Sequence, residues 1–167
     1  DVYKRQIQMG VKPLTFVHPL TEGHSMQTAT TLLQQHLKLL VDDNGQWQSL
    51  IADDIVWDLP YGPSLGHPLT LEGREAVLRH ANWFIGAVKD FRFFDAEIVA
   101  TTDASHAAAR VRGQGQAVST GRTYRQEYVV FLTARDGRIV HLREYFDPVQ
   151  AARAFDAPIA GFAAGSL

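Results

Sequence analysis

Two ionisable residues of this 167-residue chain stand where proton transfer would need them. Glu144 lies within Leu142-Arg143-Glu144-Tyr145-Phe146, where strand alternation with Leu142 and Phe146 turns a carboxylate toward an apolar interior. Such a carboxylate needs a partner or a function. His80 falls about 60° from Val77 on a helical wheel of 3.6 residues per turn, on the inward side and toward the mouth of any cavity. Desolvation brings a glutamate toward neutral pKa and histidine titrates there already, so the pair suits the movement of protons. Arg110 and Arg112, which the same alternation can put on the inner face, leave two readings open. One of them pairs with Glu144 and keeps it ionised, or it stays free as a fork for an anionic group of a substrate.

Other patterns carry less. Gly62-Pro63-Ser64-Leu65-Gly66 spells a nucleophile elbow, but Pro68 and further loop residues separate it from the next helix, and the chain lacks alternating strands and helices. Gly113-x-Gly115 opens no helix, so it reads as a bulge or bend in a strand rather than a phosphate cradle. The seven histidines include no pair at a recognised metal-ligand spacing. His36 reads as a core-edge imidazole with a satisfied hydrogen bond. No metal and no cofactor is expected.

The elements that position these residues follow from periodicity. Thr28 to Asp43 repeats apolar residues at helical spacing and stops at Asp43-Asn44-Gly45. A short helix is expected around Trp47 to Ala52, a strand over Ile55 to Leu59 ended by Pro60, and a Pro/Gly loop over Tyr61 to Thr70. Gly73 to Val88 is a second clear helix. Four strands follow, over Phe91–Thr101, His106–Val118, Thr123–Ala134 and Arg138–Phe146, then a helix over Pro148–Phe155 with proline in its first turn. Helices followed by successive antiparallel strands give an α+β class, a cone-shaped curved sheet wrapped around helices. A three-residue turn at Arg135-Asp136-Gly137 puts Tyr128 opposite Glu144 and Val130 opposite Leu142. Residues 26–158 are expected to form a single domain, residues 1–25 a disordered or non-native extension, and residues 159–167 a tail. Asp1–Gln6 resembles translated adaptor sequence, and Met9 or Met26 is the expected start.

Composition narrows the classes. The formal charge is −2 with Lys and Arg scattered, which disfavours nucleic acid and anionic membranes as partners. No cysteine is present, so disulfides and thiol catalysis are excluded and a cytoplasmic location fits. No apolar run approaches the roughly 20 residues of a spanning helix.

With this order of elements, Glu72-Gly73-Arg74-Glu75-Ala76-Val77 and the stretch from Asp136 to Pro148 resemble the SnoaL-like branch of the nuclear-transport-factor-2-like superfamily, over Thr28 to Phe155. His80-Ala81-x-Trp83, Thr102-Asp103 with His106, Gly113-x-Gly115 and Arg143-Glu144 look like its phenazine-biosynthesis A/B group. That resemblance implies a homodimer of cones in which His80 and Glu144 serve as acid–base pair in an amine–ketone condensation; Phe84 stands where a small polar partner would be sought. The steroid-isomerase branch fits less well, since its general base would fall on Leu59, with Asp58 one residue off, and its oxyanion-hole acid on Gln126. Epoxide-hydrolase relatives use Arg-x-Asp where this chain has Arg110-Val111-Arg112. The resulting expectation is a cofactor-free catalyst acting on a hydrophobic cyclic or carbonyl metabolite. Glu144 and His80 transfer protons, Arg110 or Arg112 anchors an anionic group, and Tyr128 and Gln126 orient the substrate. Trp57, Trp83, Leu142 and Phe146 form the apolar wall, and Asp58 is a base near the mouth. The alternative is a non-catalytic ligand-binding or dimerisation module in which arginine neutralises Glu144.

Overall fold

A computed structural model describes residues 27–160; the expected 1–25 extension and most of the 159–167 tail lie outside the described residues. Helix α1 (Ala29–Asp42) starts where the Thr28 hydroxyl accepts from the Thr31 amide, and it buries Leu32, Leu33, His36, Leu37 and Leu40 on one stripe. Asp43 then caps α2 (Asn44–Ser49) by accepting from the Gln46 amide at 2.9 Å. The second helix is therefore shorter than its expected span, and strand β1 (Ile51–Asp58) begins earlier. The Pro/Gly loop contains a 3₁₀ turn at Gly62–Leu65 and ends in a short strand, β2 (Thr70–Glu72), that the sequence reading missed. Three residues are too few for a period of two to register. Helix α3 (Arg74–Ala87) leads into β3 (Val88–Ala100), β4 (His106–Ala117), β5 (Thr123–Arg135) and β6 (Arg138–Tyr145). Helix α4 (Pro148–Phe155) is capped by the Asp147 carboxylate, which accepts from the Val149 and Gln150 amides. No described helix is long and apolar enough to cross a membrane.

The six strands form one sheet in the order β2-β1-β6-β5-β4-β3, antiparallel except for β1 beside β6. Strand β5 shows how the sheet segregates its faces. Tyr124, Gln126, Tyr128, Val130, Leu132 and Ala134 are buried, while Arg125, Glu127, Val129 and Phe131 between them are exposed.

The β5–β6 hairpin decides which way Glu144 points. Arg135 pairs with Arg138 across Asp136 (φ 52°) and Gly137 (φ 70°), the left-handed pair that a two-residue type I′ turn requires. One additional residue is then accommodated on β6 between the Ala134–Ile139 and Thr133–His141 pairs. Without this bulge the turn would set Glu144 opposite exposed Val129; with it Glu144 opposes buried Val130. The three-residue turn expected from the sequence is thus corrected to a two-residue turn plus a bulge. Leu142 opposes Leu132 rather than Val130, a shift of two residues that leaves every side chain on its expected face.

A bulge at Gly113-x-Gly115, one of the two expectations for it, is displaced to the neighbouring strand. Strand β4 pairs with β5 without interruption through both glycines, and the irregularities lie on β3, around Asp90 (φ 53°) and Asp95 (φ 51°). Gly113 is required by packing, since a Cβ there would lie 2.5 Å from Cζ of Phe91 and 2.9 Å from Cε2 of Tyr128. Gly113→Ala is therefore expected to destabilise the protein by about 1–3 kcal/mol through overpacking. Gly86→Ala, in open space on α3, should stabilise it by about 0.5–1 kcal/mol. Urea denaturation of the two variants checks both signs.

Candidate active site

The inner face of the sheet and three helices enclose a cavity of about 70 Å³, several times the roughly 10–15 Å³ that a water occupies on this scale. Strand β6 supplies Glu144 and, just past its end, Phe146 comes in; β5 supplies Tyr124 and Tyr128, β1 Trp57, and α3 His80, Trp83 and Phe84. Of the expected wall, Trp57, Trp83 and Phe146 are in place, and Tyr128, expected to orient the substrate, lines the cavity beside them. Leu142 is fully buried in the core and is not part of the cavity surface.

Glu144 opens onto this cavity, and burial alone raises its carboxyl to about 8. An apolar setting that supplies no compensating charge favours the neutral acid. His80 is shifted the opposite way, to about 4, by burial and then by the charge of His67. Its ring lies 5.8 Å from Trp57, 5.7 Å from His67 and 5.5 Å from Trp83, measured between centroids. At neutral pH the cavity therefore holds a protonated carboxyl and a neutral imidazole.

Three expected site residues project from the other face of the sheet. Alternation on β4 turns Ala109, Val111 and Gly113 inward, so Arg110 and Arg112 project from the opposite face. There Arg110 pairs with Glu97 at 2.6 Å and Glu127 at 3.1 Å, and Arg112 with Asp95 at 3.3 Å and Glu127 at 3.4 Å. Neither arginine neutralises Glu144 or faces the cavity. Asp58 follows Trp57 on β1 and so points away as well, accepting from the Thr70 hydroxyl at 2.9 Å and lying 3.0 Å from Nε2 of His141.

Gln126 is buried on the inner face but is held by the backbone of Asp147, with Nε2 donating to its carbonyl at 2.8 Å and Oε1 accepting from its amide at 2.9 Å. It anchors the entry to α4 and does not line the cavity. Ser64 donates to the Tyr61 carbonyl within the 3₁₀ turn, so the elbow pattern is a local turn. His36 is fully buried and its Nδ1 accepts from Nε1 of Trp47 at 3.0 Å, but its Nε2 has no partner among the described residues, so the expected satisfaction is half met there.

The sequence reading missed His67, Phe93 and Phe155 at the cavity. His67 sits in an aperiodic loop with no pattern to aim it. Phe155 is on an expected helix whose docking only the tertiary structure fixes.

The opposed shifts set the pH dependence of stability. His36, His67 and His80 all titrate below the ordinary 6.5. In acid the unfolded chain therefore binds more protons, and stability rises with pH up to about 6.5. Glu144 works the other way, because its stabilising contribution is complete below the ordinary 4.5 and is lost as pH rises to about 8. Above 6.5 only that loss remains. Melting temperature is expected to peak near neutral-acid pH and to fall toward pH 8, and Glu144→Gln should remove the alkaline fall. Calorimetry of both proteins across this range checks it.

A family model described as the SnoaL-like domain matches residues 40–142. An uncharacterised PhzA/B-like protein of Pseudomonas aeruginosa is 30% identical over 123 residues, covering 73% of this chain and 86% of that protein. Among solved structures, a Bacillus subtilis protein superposes with a TM-score of 0.70 at 27% identity, covering 77% of this chain and 92% of that one. A phenazine biosynthesis-related protein of Pseudomonas aeruginosa gives a TM-score of 0.64 at 18% identity, covering 83% and 94%. The curved sheet, the helices that close it and these matches together make the chain a member of the SnoaL-like branch of the nuclear-transport-factor-2-like superfamily.

Proposed function

We propose that this protein is a cofactor-free enzyme that moves protons on a hydrophobic cyclic or carbonyl metabolite, with Glu144 as general acid and His80 as general base. The observation that carries the reading is an inward carboxyl without a counter-ion among the described residues, in a cavity that it shares with a neutral imidazole. One group holds a proton at neutral pH and the other can accept one. In an enolisation, His80 would take the proton from the carbon beside a carbonyl while Glu144 gives its own to the carbonyl oxygen. The enol oxygen then returns its proton to Glu144, and the His80 imidazolium delivers the other to a different carbon, which completes an isomerisation. Relatives named for phenazine biosynthesis are compatible with carbonyl chemistry of this kind. The alternative of a non-catalytic module with an arginine-neutralised Glu144 loses its main support, because Arg110 and Arg112 pair on the other face.

Exchange of α-protons for deuterium, followed by NMR over a panel of cyclic ketones in D₂O, tests the chemistry before the natural substrate is known. The competent form needs Glu144 protonated and His80 neutral, so the rate should follow a bell with limbs near the two shifted values, about 4 and about 8. Glu144→Gln is expected to lower it on the order of 10²–10⁴-fold. Full activity in that variant would sink the assignment.

A homodimer joined through the outer sheet face is part of the proposal. Val129 and Phe131 are 38% and 49% exposed there, beside the Arg110–Glu127–Arg112 ladder, an apolar patch with charges of both signs at its edge. Sedimentation should report a dimer at micromolar concentration, and Phe131→Glu should shift it to monomer; a monomeric parent protein would remove this part.

A further inference from the structure

Phe93 lines two spaces at once. On one side lies the cavity of about 70 Å³ onto which Glu144 opens. On the other lies a groove of about 350 Å³ between α1 and β3, the edge strand of the sheet, with Leu37, Val41 and Ile98 along it. Leu37 is buried, and Val41, Phe93 and Ile98 are partly buried against the core. The charged residues of the groove, Lys38, Asp42 and Arg92, are all exposed, so charges of both signs form a rim over an apolar floor.

Size decides how the two spaces are related. A cavity of roughly 150 Å³ is what accepts a benzene ring, and the space beside Glu144 is smaller. A six-membered ring seated there therefore needs a wall side chain to yield. Trp57 and Tyr128 are only 4% and 3% exposed, which makes them costly to displace. Trp83 is 46% exposed and moves more easily, but moving it opens the cavity to solvent. Phe93 is half-buried, and behind it is a second apolar surface. Its strand is paired with β4 alone, and that pairing shifts register on both sides of Arg92–Phe94, near the left-handed residues Asp90 and Asp95. Irregularities of this kind weaken the hold of a ladder on the segment between them. The ring packs edge-on against Phe91 at 4.9 Å and Tyr128 at 5.7 Å between centroids. Turning toward the groove gives up those contacts and joins the two spaces.

We propose that the cavity and the groove are one binding site, joined when the Phe93 ring turns aside, and that it takes an elongated ligand of at least two rings. One ring sits beside Glu144 and the next lies on Leu37, Val41 and Ile98. The proposal rests on the site of the proposed function and gives the shape of its substrate. Phe93 is then the side chain that selects for length. A ligand that reaches the groove regains the apolar contact that moving the ring gives up, and a single ring does not.

Two probes, cyclohexanone with one ring and cyclohexyl phenyl ketone with two, test this by NMR in protein carrying ¹³C-labelled leucine and isoleucine methyls. The bound two-ring ketone should give nuclear Overhauser contacts both to Leu59, on the cavity, and to Ile98, on the groove. It should bind about tenfold more tightly than cyclohexanone, the gain expected when a second ring is partly buried. Ile98→Lys should bring its affinity down to that of cyclohexanone, and Phe93→Ala should raise it severalfold, because no ring then has to be displaced. The methyl spectrum shows whether each variant keeps the fold, and the Overhauser contacts in the parent protein need no variant at all. The proposal is overturned by contacts to one compartment only, by equal affinity for the two ketones, by an unchanged affinity in either folded variant, or by no binding of the two-ring ketone. Because the readout is binding, a two-ring ketone that spans both compartments yet exchanges no α-proton would contradict the proposed function and leave this proposal standing. Glu144-dependent exchange with contacts confined to the cavity would do the reverse.

Discussion

A carboxyl group held inside an apolar wall, with no counter-ion among the described residues, is the constraint on which the site depends. One residue of strand geometry creates it. The type I′ turn at Asp136-Gly137 alone would set Glu144 against Val129 on the exposed face, among the arginines and glutamates of the outer ladder. The bulge that follows on β6 changes the parity, so Leu142 and Glu144 share the buried side with Val130 and Leu132. Burial then does the chemical work by opposing ionisation.

The same alternation that brings Glu144 in keeps the strong cations out. Ala109, Val111 and Gly113 occupy the inner positions of β4, and Gly113 leaves room for Phe91 and Tyr128 to pack over it. Arg110 and Arg112 go to the other face and find carboxylates there. The sheet thus sorts one set of charges into a solvated ladder and leaves the cavity with groups that are neutral near pH 7. A low-dielectric pocket makes each remaining hydrogen bond count for more.

Much of this arrangement was legible before any coordinates. Helical spacing placed α1, α3 and α4 to within a residue or two, and alternation around Leu142 and Phe146 turned Glu144 inward even though the turn type was misjudged. That success has a physical reason, since a register error of two residues preserves the face. The face of Arg110 and Arg112 was harder to read. Their strand, Ala107-Ala108-Ala109-Arg110-Val111-Arg112, opens on three alanines that give no contrast between faces, and only pairing with β5 and β3 fixes the parity. His67 and Phe155 reach the cavity through a loop and a helix docking that no local pattern encodes. The packing that requires Gly113 was not legible, because a close approach by a distant ring leaves no mark in the neighbouring sequence.

The most direct test of the account is the titration of the Glu144 carboxyl by ¹³C NMR in protein labelled at glutamate, with the signal assigned by its loss in Glu144→Gln. The account predicts a midpoint well above the ordinary 4.5 and close to about 8. A midpoint at or below 4.5 would mean that Glu144 is solvated or paired, and would contradict the reading of this cavity as a site built around a protonated acid.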